Sequence, residues 1–324
     1  MNYHEMEMRA VYAATLSELV IENPNIMCLE ADLAKASGTF SVMKKNHPKN
    51  FINVGVAEAN MIGIGAGLAV EGKIPFCATF TPFASRRVYD QITISVAYAN
   101  NNVKIVGTAP GITAGPNGGT HMCFQDLSIM RAMPNMHVYS PVDAYELRAM
   151  LKYMAKSTQP TYMQLIRPKM PKIFDENVTF TPGKAAILRE GTDVTLVSTG
   201  YMTKFALDAV KELEAKGVSV DLIHCGSVKP IDEQAIIASA KKTGGVVTVE
   251  TQNIVGGLGS AVCEVLSEKH PTRVHRLGIP DQFGEVATEK YLFDKHKFGV
   301  PHIVAACVEM KEKAAKKHSH CCSK

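Results

Sequence analysis

Short apolar runs alternate with helix-period stretches along this chain, and no pattern constrains its fold more. In the first half the runs are IMCLEA (26–31), FINVGV (51–56), PFCATF (75–80), VKIVGT (103–108), HVYSP (137–141) and TYMQLI (161–166). Helical spacing fills 5–22, 57–71, 83–100, 124–132 and 143–156. Strands this uniformly apolar are buried on both faces, which predicts a largely parallel sheet with helices on either side. Residues 168–183 have no sustained period and contain Pro168, Pro171 and Pro182, so they read as an inter-domain linker. A second α/β set follows, with strands AAILRE, VTLVSTG, VSVDLIH, GVVTVE and RVHRLG and helices near 202–216, 232–243, 258–269 and 300–315. Two α/β domains are expected, 1–167 and 184–324, the second ending in a basic tail.

Composition removes several function classes. The 35 Lys+Arg against 31 Asp+Glu leave +4, no signature of nucleic-acid or membrane binding. No apolar run is long enough to span a bilayer, and the start, MNYHEMEMRA, is not a secretory signal. The eight Cys form no CxxC pair, which points to reduced thiols and a cytoplasmic location. His318, His320, Cys321 and Cys322 read as a mobile tail before a soft-metal site. No metal-ligand set is assigned within the chain.

The segment NVGVAEANMIGIGAGLAVEG (53–72) places Glu58 on the first helical turn after a strand, where open α/β sheets bind ligands. Taken alone, Glu58 only favours a helix N-terminus. Gly63, Gly65 and Gly67 are no dinucleotide fingerprint, because they fall inside the helix; close helix packing accounts for them. Phe80, Phe83 and Arg86 follow at intervals of three. They are either core aromatics with a solvated arginine or a platform for a flat heterocycle. GTAPGITAGPNGGTHMCFQD (107–126) has five glycines and two prolines and carries His121, a candidate functional loop. Arg9 and Arg167 are surface charges or anion ligands, and Arg167 ends a strand.

Together GVAEANMIGIGAGLA, ATFTPFASR, GGTH followed by MRAMPNMHVYSPVDAYE, and QLIRPKMP resemble the transketolase family of thiamine-diphosphate enzymes, in order and over nearly the whole chain. More narrowly, the chain is similar to the C-terminal subunit of a split transketolase. The resemblance implies a pyrimidine-binding domain with a parallel sheet and a Rossmann-like C-terminal domain. It implies that Glu58 bonds the cofactor's aminopyrimidine, with Phe80 and Phe83 around that ring and Asp32 and Arg86 nearby. It implies that His121 faces the donor sugar as a second catalytic group, and that Arg9, Arg167 and Ser37 hold a substrate phosphate.

Two positions depart from the family. Gly107-Thr108-Ala109-Pro110 stands where a loop His-Asp pair is often found, and Asn117 stands where an aspartate binds donor hydroxyls. The chemistry implied is ketol transfer from a ketose phosphate to an aldose, with the sugar left open to branched or modified forms. The chain has no Gly-Asp-Gly, the family's cradle for the diphosphate and its Mg2+. A partner subunit is therefore expected to supply it, in a heterotetramer of two chains of each kind. The alternatives are a 2-oxoacid dehydrogenase β subunit, a deoxyxylulose-phosphate synthase half, a Rossmann-like oxidoreductase and a non-catalytic scaffold.

Overall fold

The structure, a computed structural model, describes residues 2–321, with side chains described through residue 315. The side chains of His318, His320, Cys321 and Cys322 lie outside that range. The first half supplies β1 (Ile26–Glu30), β2 (Phe51–Asn53), β3 (Ile74–Phe80), β4 (Lys104–Thr108), β5 (His137–Tyr139) and β6 (Thr161–Leu165). The second half supplies β7 (Ala186–Arg189), β8 (Val194–Ser198), β9 (Val220–His224), β10 (Ser227–Lys229), β11 (Gly245–Asn253) and β12 (Arg273–Ile279). They form a seven-stranded sheet, β10-β5-β6-β4-β3-β1-β2, and a five-stranded one, β12-β11-β8-β9-β7.

The first sheet is parallel except where β10 pairs antiparallel with β5, and the second except where β7 meets β9. Period-two alternation sorts the first sheet's core. Cys28, Phe76, Val106 and Met163 face Met8, Tyr12, Leu16, Leu147 and Met150, from the helices Met8–Glu22 and Ala144–Lys156. Leu29, Cys77, Ile105 and Tyr162 face Met61 and Ile62, from the helix Glu58–Val70, together with Val88, Ile92 and Val96. No helix among the described residues is long and apolar enough to cross a membrane.

Three features differ from the sequence expectation. The helix expected over 83–100 is broken into Thr81–Ala84, Arg86–Val88, Tyr89–Gln91 and a π-helical Ile92–Tyr98. Ser85 leaves helical geometry at φ −129°, ψ −89°. The Ser85 and Thr93 hydroxyls donate to the carbonyls four residues back, Thr81 at 2.5 Å and Tyr89 at 2.7 Å, a bond that bends helices. Of the three glycines in the helix Glu58–Val70, only Gly65 packs closely: a Cβ there would lie 2.8 Å from Cys77 Sγ, whereas Gly63 and Gly67 meet nothing within 4 Å. Finally, β10 belongs to the C-terminal half yet completes the first sheet.

The linker segment carries no helix or strand, but it is pinned. Asp143 caps the helix Ala144–Lys156, and its Oδ2 accepts from Ile173 N at 2.8 Å and Phe174 N at 2.7 Å.

The glycine loop after β4 runs directly against the second half. A Cβ on Gly111 would lie 2.6 Å from Thr251 O, on Gly115 2.7 Å from Ala287 O, and on Gly119 2.3 Å from Gly284 O. Ile112, Ala114, Met122 and Phe124 belong to one buried cluster with Leu196, Val249, Ile279 and Leu292. Elsewhere in this interface His224 Nε2 lies 3.0 and 2.9 Å from the two carboxylate oxygens of Glu146. Gly119→Ala should therefore force the loop off the 284–287 segment and cost about 1–3 kcal/mol, as overpacking does. Thermal unfolding against wild type checks this, and an unchanged transition temperature would mean that the loop yields freely.

Candidate functional site

The carboxyl ends of β2, β3, β4 and β6 deliver the sequence-predicted residues to one side of the first sheet. Glu58 opens the helix Glu58–Val70 and is 5% exposed. Its Oε1 accepts from Arg87 Nη1 at 2.8 Å. The Arg87 guanidinium carbon lies 3.8 Å from the centre of the Phe83 ring, a cation–π contact. The Phe80 and Phe83 centroids are 6.3 Å apart at 42°. His121 presents its ring edge-on to both, at 6.2 and 5.3 Å. Thus Phe80, Phe83 and His121 form one cluster, and Arg87 links Glu58 to it.

Arg86 does something else: its Nη2 donates to Thr120 O at 2.9 Å, so it holds the loop next to His121. The Thr120 hydroxyl lies 2.8 Å from His121 Nδ1 and fixes the ring from the other side. The residue that sequence reasoning missed is Arg87. It stands four positions after Phe83, a shared-face spacing on a helix, whereas attention to intervals of three selected Arg86.

A second group carries positive charge. Arg9 N donates to Arg167 O at 3.4 Å and Met8 N to Pro168 O at 3.3 Å, so the start of the first helix lies along the end of β6. Arg9 Nη1 donates to Ala36 O at 3.2 Å, and its Nε to Glu7 Oε2 at 2.6 Å. Arg167 Nε is buried without a hydrogen-bond partner among the described residues. Burial, then the neighbouring Arg9 charge, lowers the pKa of Arg167. A desolvated guanidinium beside a second one is a site suited to an anion. The Arg167 guanidinium carbon is 5.7 Å from the centre of the Phe80 ring, which joins this group to the aromatic cluster.

The remaining candidates make other bonds. Asp32 is exposed at φ 60°; its N donates to Asn53 Oδ1 at 2.9 Å, and Asn53 Nδ2 donates to its Oδ1 at 3.3 Å. Asn117 is exposed on the glycine loop, and Ala109 is held at φ 56° with its N donating to Leu165 O. Ser37 is 1% exposed, and its hydroxyl donates to Glu30 Oε1 at 2.5 Å. Thr39 donates to the same oxygen at 2.6 Å. Glu30 therefore ties down the turn that supplies Ala36 O to Arg9.

Burial pushes the Glu30 carboxyl up from 4.5 to about 7, against the lowering effect of its Ser37 and Thr39 bonds. The folded chain then binds this proton more tightly than the unfolded chain. The resulting stabilisation is full below about pH 4.5 and is lost as pH rises through about 7. Its size is about 3 kcal/mol, from roughly 1.4 kcal/mol per pH unit. Between pH 5 and pH 8 wild type should thus lose more stability than Glu30→Gln, by most of that amount. Denaturant unfolding of both proteins at both pH values measures it, and equal losses would reject this account.

With this geometry in hand, comparison with known proteins gives a consistent answer. The family model for the transketolase pyrimidine-binding domain matches residues 4–172, and that for the transketolase C-terminal domain matches 183–303. A 6-deoxy-6-sulfo-D-fructose transketolase subunit from a Clostridium species is 48% identical over 94% of this chain and 95% of its own length. An apulose-4-phosphate transketolase subunit from Phocaeicola vulgatus is 35% identical over 85% of this chain and 88% of its own. A solved split-gene transketolase, described as an inactive beta4 tetramer, superposes with a TM-score of 0.89 at 42% identity, covering 95% of this chain and 99% of that one. The chain belongs to the transketolase family and is built from its pyrimidine-binding and C-terminal domains.

Proposed function

We propose that this chain is the C-terminal subunit of a two-chain transketolase that moves a two-carbon ketol unit from a ketose bearing a terminal anion to an aldose. Its pyrimidine-binding domain would comprise 1–167 and its C-terminal domain 184–324. The observation that carries the reading is a buried acid, Glu58, tied through Arg87 to a cluster of Phe83, Phe80 and His121, with the Arg167 guanidinium near the far ring. An acid below flat apolar walls fits an aminopyrimidine, so the residues present suit thiamine diphosphate. When bound, that cofactor supplies the carbon nucleophile that a sugar carbonyl otherwise lacks.

Glu58 would hold a proton at the pyrimidine ring nitrogen. Its Oε1 is engaged by Arg87, so this task falls to Oε2. Phe80 and Phe83 would wall the ring and exclude water. His121, oriented by Thr120, would donate to the substrate oxygen that gains negative charge. Arg9 and Arg167 would hold the terminal anion, and Asn117 and Asp32 would lie at the donor and cofactor edges. Ser37 would act on the anion site through the turn that holds Arg9, since its hydroxyl is spent on Glu30. The diphosphate and its Mg2+ are assigned to a partner chain carrying Gly-Asp-Gly, a motif this sequence lacks. The assembly proposed is two chains of each kind.

Two measurements test this reading. In the assembled enzyme, Glu58→Gln should lower kcat on the order of a hundredfold or more with little change in KM, the pattern of a lost acid–base group. The purified chain by itself should show no ketol transfer until the partner and magnesium are added. Full activity of the variant would remove Glu58 from the chemistry, and turnover by the lone chain would remove the partner.

A further inference from the structure

We propose that Glu7 tunes the anion end of the site to a sulfonate monoanion over a phosphate dianion by cancelling one of the two arginine charges there. The inference rests on the ketol-transfer reading above and deepens it at the same site. Residues 5–9 and 167–169 run side by side, and their charges pair off. Glu5 Oε2 accepts from Lys169 Nζ, and Glu7 Oε2 accepts from Arg9 Nε at 2.6 Å. Arg167 is left over, with its buried Nε unpartnered among the described residues. Arg9 and Glu7 both act on Arg167, in opposite senses, so the three groups share one field. Lys35, beside Arg9 in the same groove, directs its ammonium toward the Phe40 ring at 5.6 Å. Arg9, Arg167 and Glu7 thus sum to a net charge of one, and Lys35 and Glu18, which line the same groove as Arg9, add one charge of each sign.

That sum suits a sulfonate, which has three acceptor oxygens and a single charge. A phosphate monoester offers similar oxygens but carries about −1.5 to −2 near pH 7. Half of the Glu7 side chain is exposed, so its ion pair with Arg9 does little for stability. Its field on a bound anion remains, and Coulomb energy scales with the ligand's charge. Whatever factor Glu7 costs a monoanion, it costs a dianion the square of that factor. For a rim carboxylate on the order of 6 Å from the anion in a water-like dielectric, the factors are about threefold and about tenfold.

The test compares a 6-deoxy-6-sulfo-ketohexose with the matching ketohexose 6-phosphate on the assembled enzyme. Glu7→Gln keeps an acceptor for Arg9 Nε and removes the charge. It should improve kcat/KM for the phosphate about threefold more than for the sulfonate, mainly through KM. Glu7→Asp keeps the charge and should leave the ratio as in wild type. The gap between wild type and Glu7→Gln should shrink as salt rises from about 0.02 M to about 0.5 M. Equal changes on both substrates, or a ratio indifferent to salt, would overturn the proposal and reduce Glu7 to a prop for Arg9. Calorimetry with methanesulfonate and methyl phosphate reads the same selectivity without turnover. Selective binding without any ketol transfer would then overturn the functional reading and leave the role of Glu7 standing.

Discussion

The site depends first on a close backbone approach between the two halves of the chain. The loop after β4 can lie against the 284–287 segment and Thr251 only because its contact positions have no side chain. At Gly111 and Gly118 the backbone is also left-handed, at φ 55° and 73°, where glycine is free of the Cβ penalty. Around these points Ile112, Ala114, Met122 and Phe124 are buried among second-half residues. The loop that carries His121 is therefore part of the second half's core, although it springs from the first half's sheet. A histidine on an otherwise mobile glycine loop is held in this way to a fixed edge-on position over two phenylalanines.

The aromatic pair then joins two kinds of chemistry. Phe83 lies under Arg87, which holds Glu58; Phe80 lies near Arg167, which neighbours Arg9. A shift in either ring would be felt at both the acid and the anion end. Glu30 supports this arrangement from below. Its buried carboxyl gathers the Ser37 and Thr39 hydroxyls onto one oxygen and so fixes the turn on which Arg9 leans.

Much of this was legible in the sequence, for reasons that also explain what was not. Strands such as β1, β4 and β6 announce themselves because a doubly covered parallel sheet favours largely apolar runs, and each is wholly buried. The strand β10 does not: it is three residues long and ends against Pro230, and its partner β5 lies in the other half. Composition cannot reveal a pairing that distant. The break at Ser85 was hidden because hydroxyl bonds to a carbonyl four residues back leave the apolar period intact. Ser37 enters the sequence reading only as a phosphate ligand implied by the resemblance; that its hydroxyl is a buried donor was not legible, since Glu30 reads as one acid at the end of a strand.

The two ends of the site sit in different dielectric surroundings, and the difference matches the tasks proposed for them. Glu58 is buried, with ring faces against its neighbours, so charge developing above it is poorly screened. Interactions there can differ strongly between a bound sugar and its transition state, which is what lowers a barrier. Arg9 and Glu7 lie at the rim, where water weakens each charge and a terminal anion is far from any bond that changes. In the proposed reading, binding energy gained there would be nearly the same before and during reaction, so it would select and anchor the substrate without accelerating the chemistry. On that reading, charges at the rim can be exchanged to alter the anion accepted while the acid, the two rings and the clamped glycine loop keep their places.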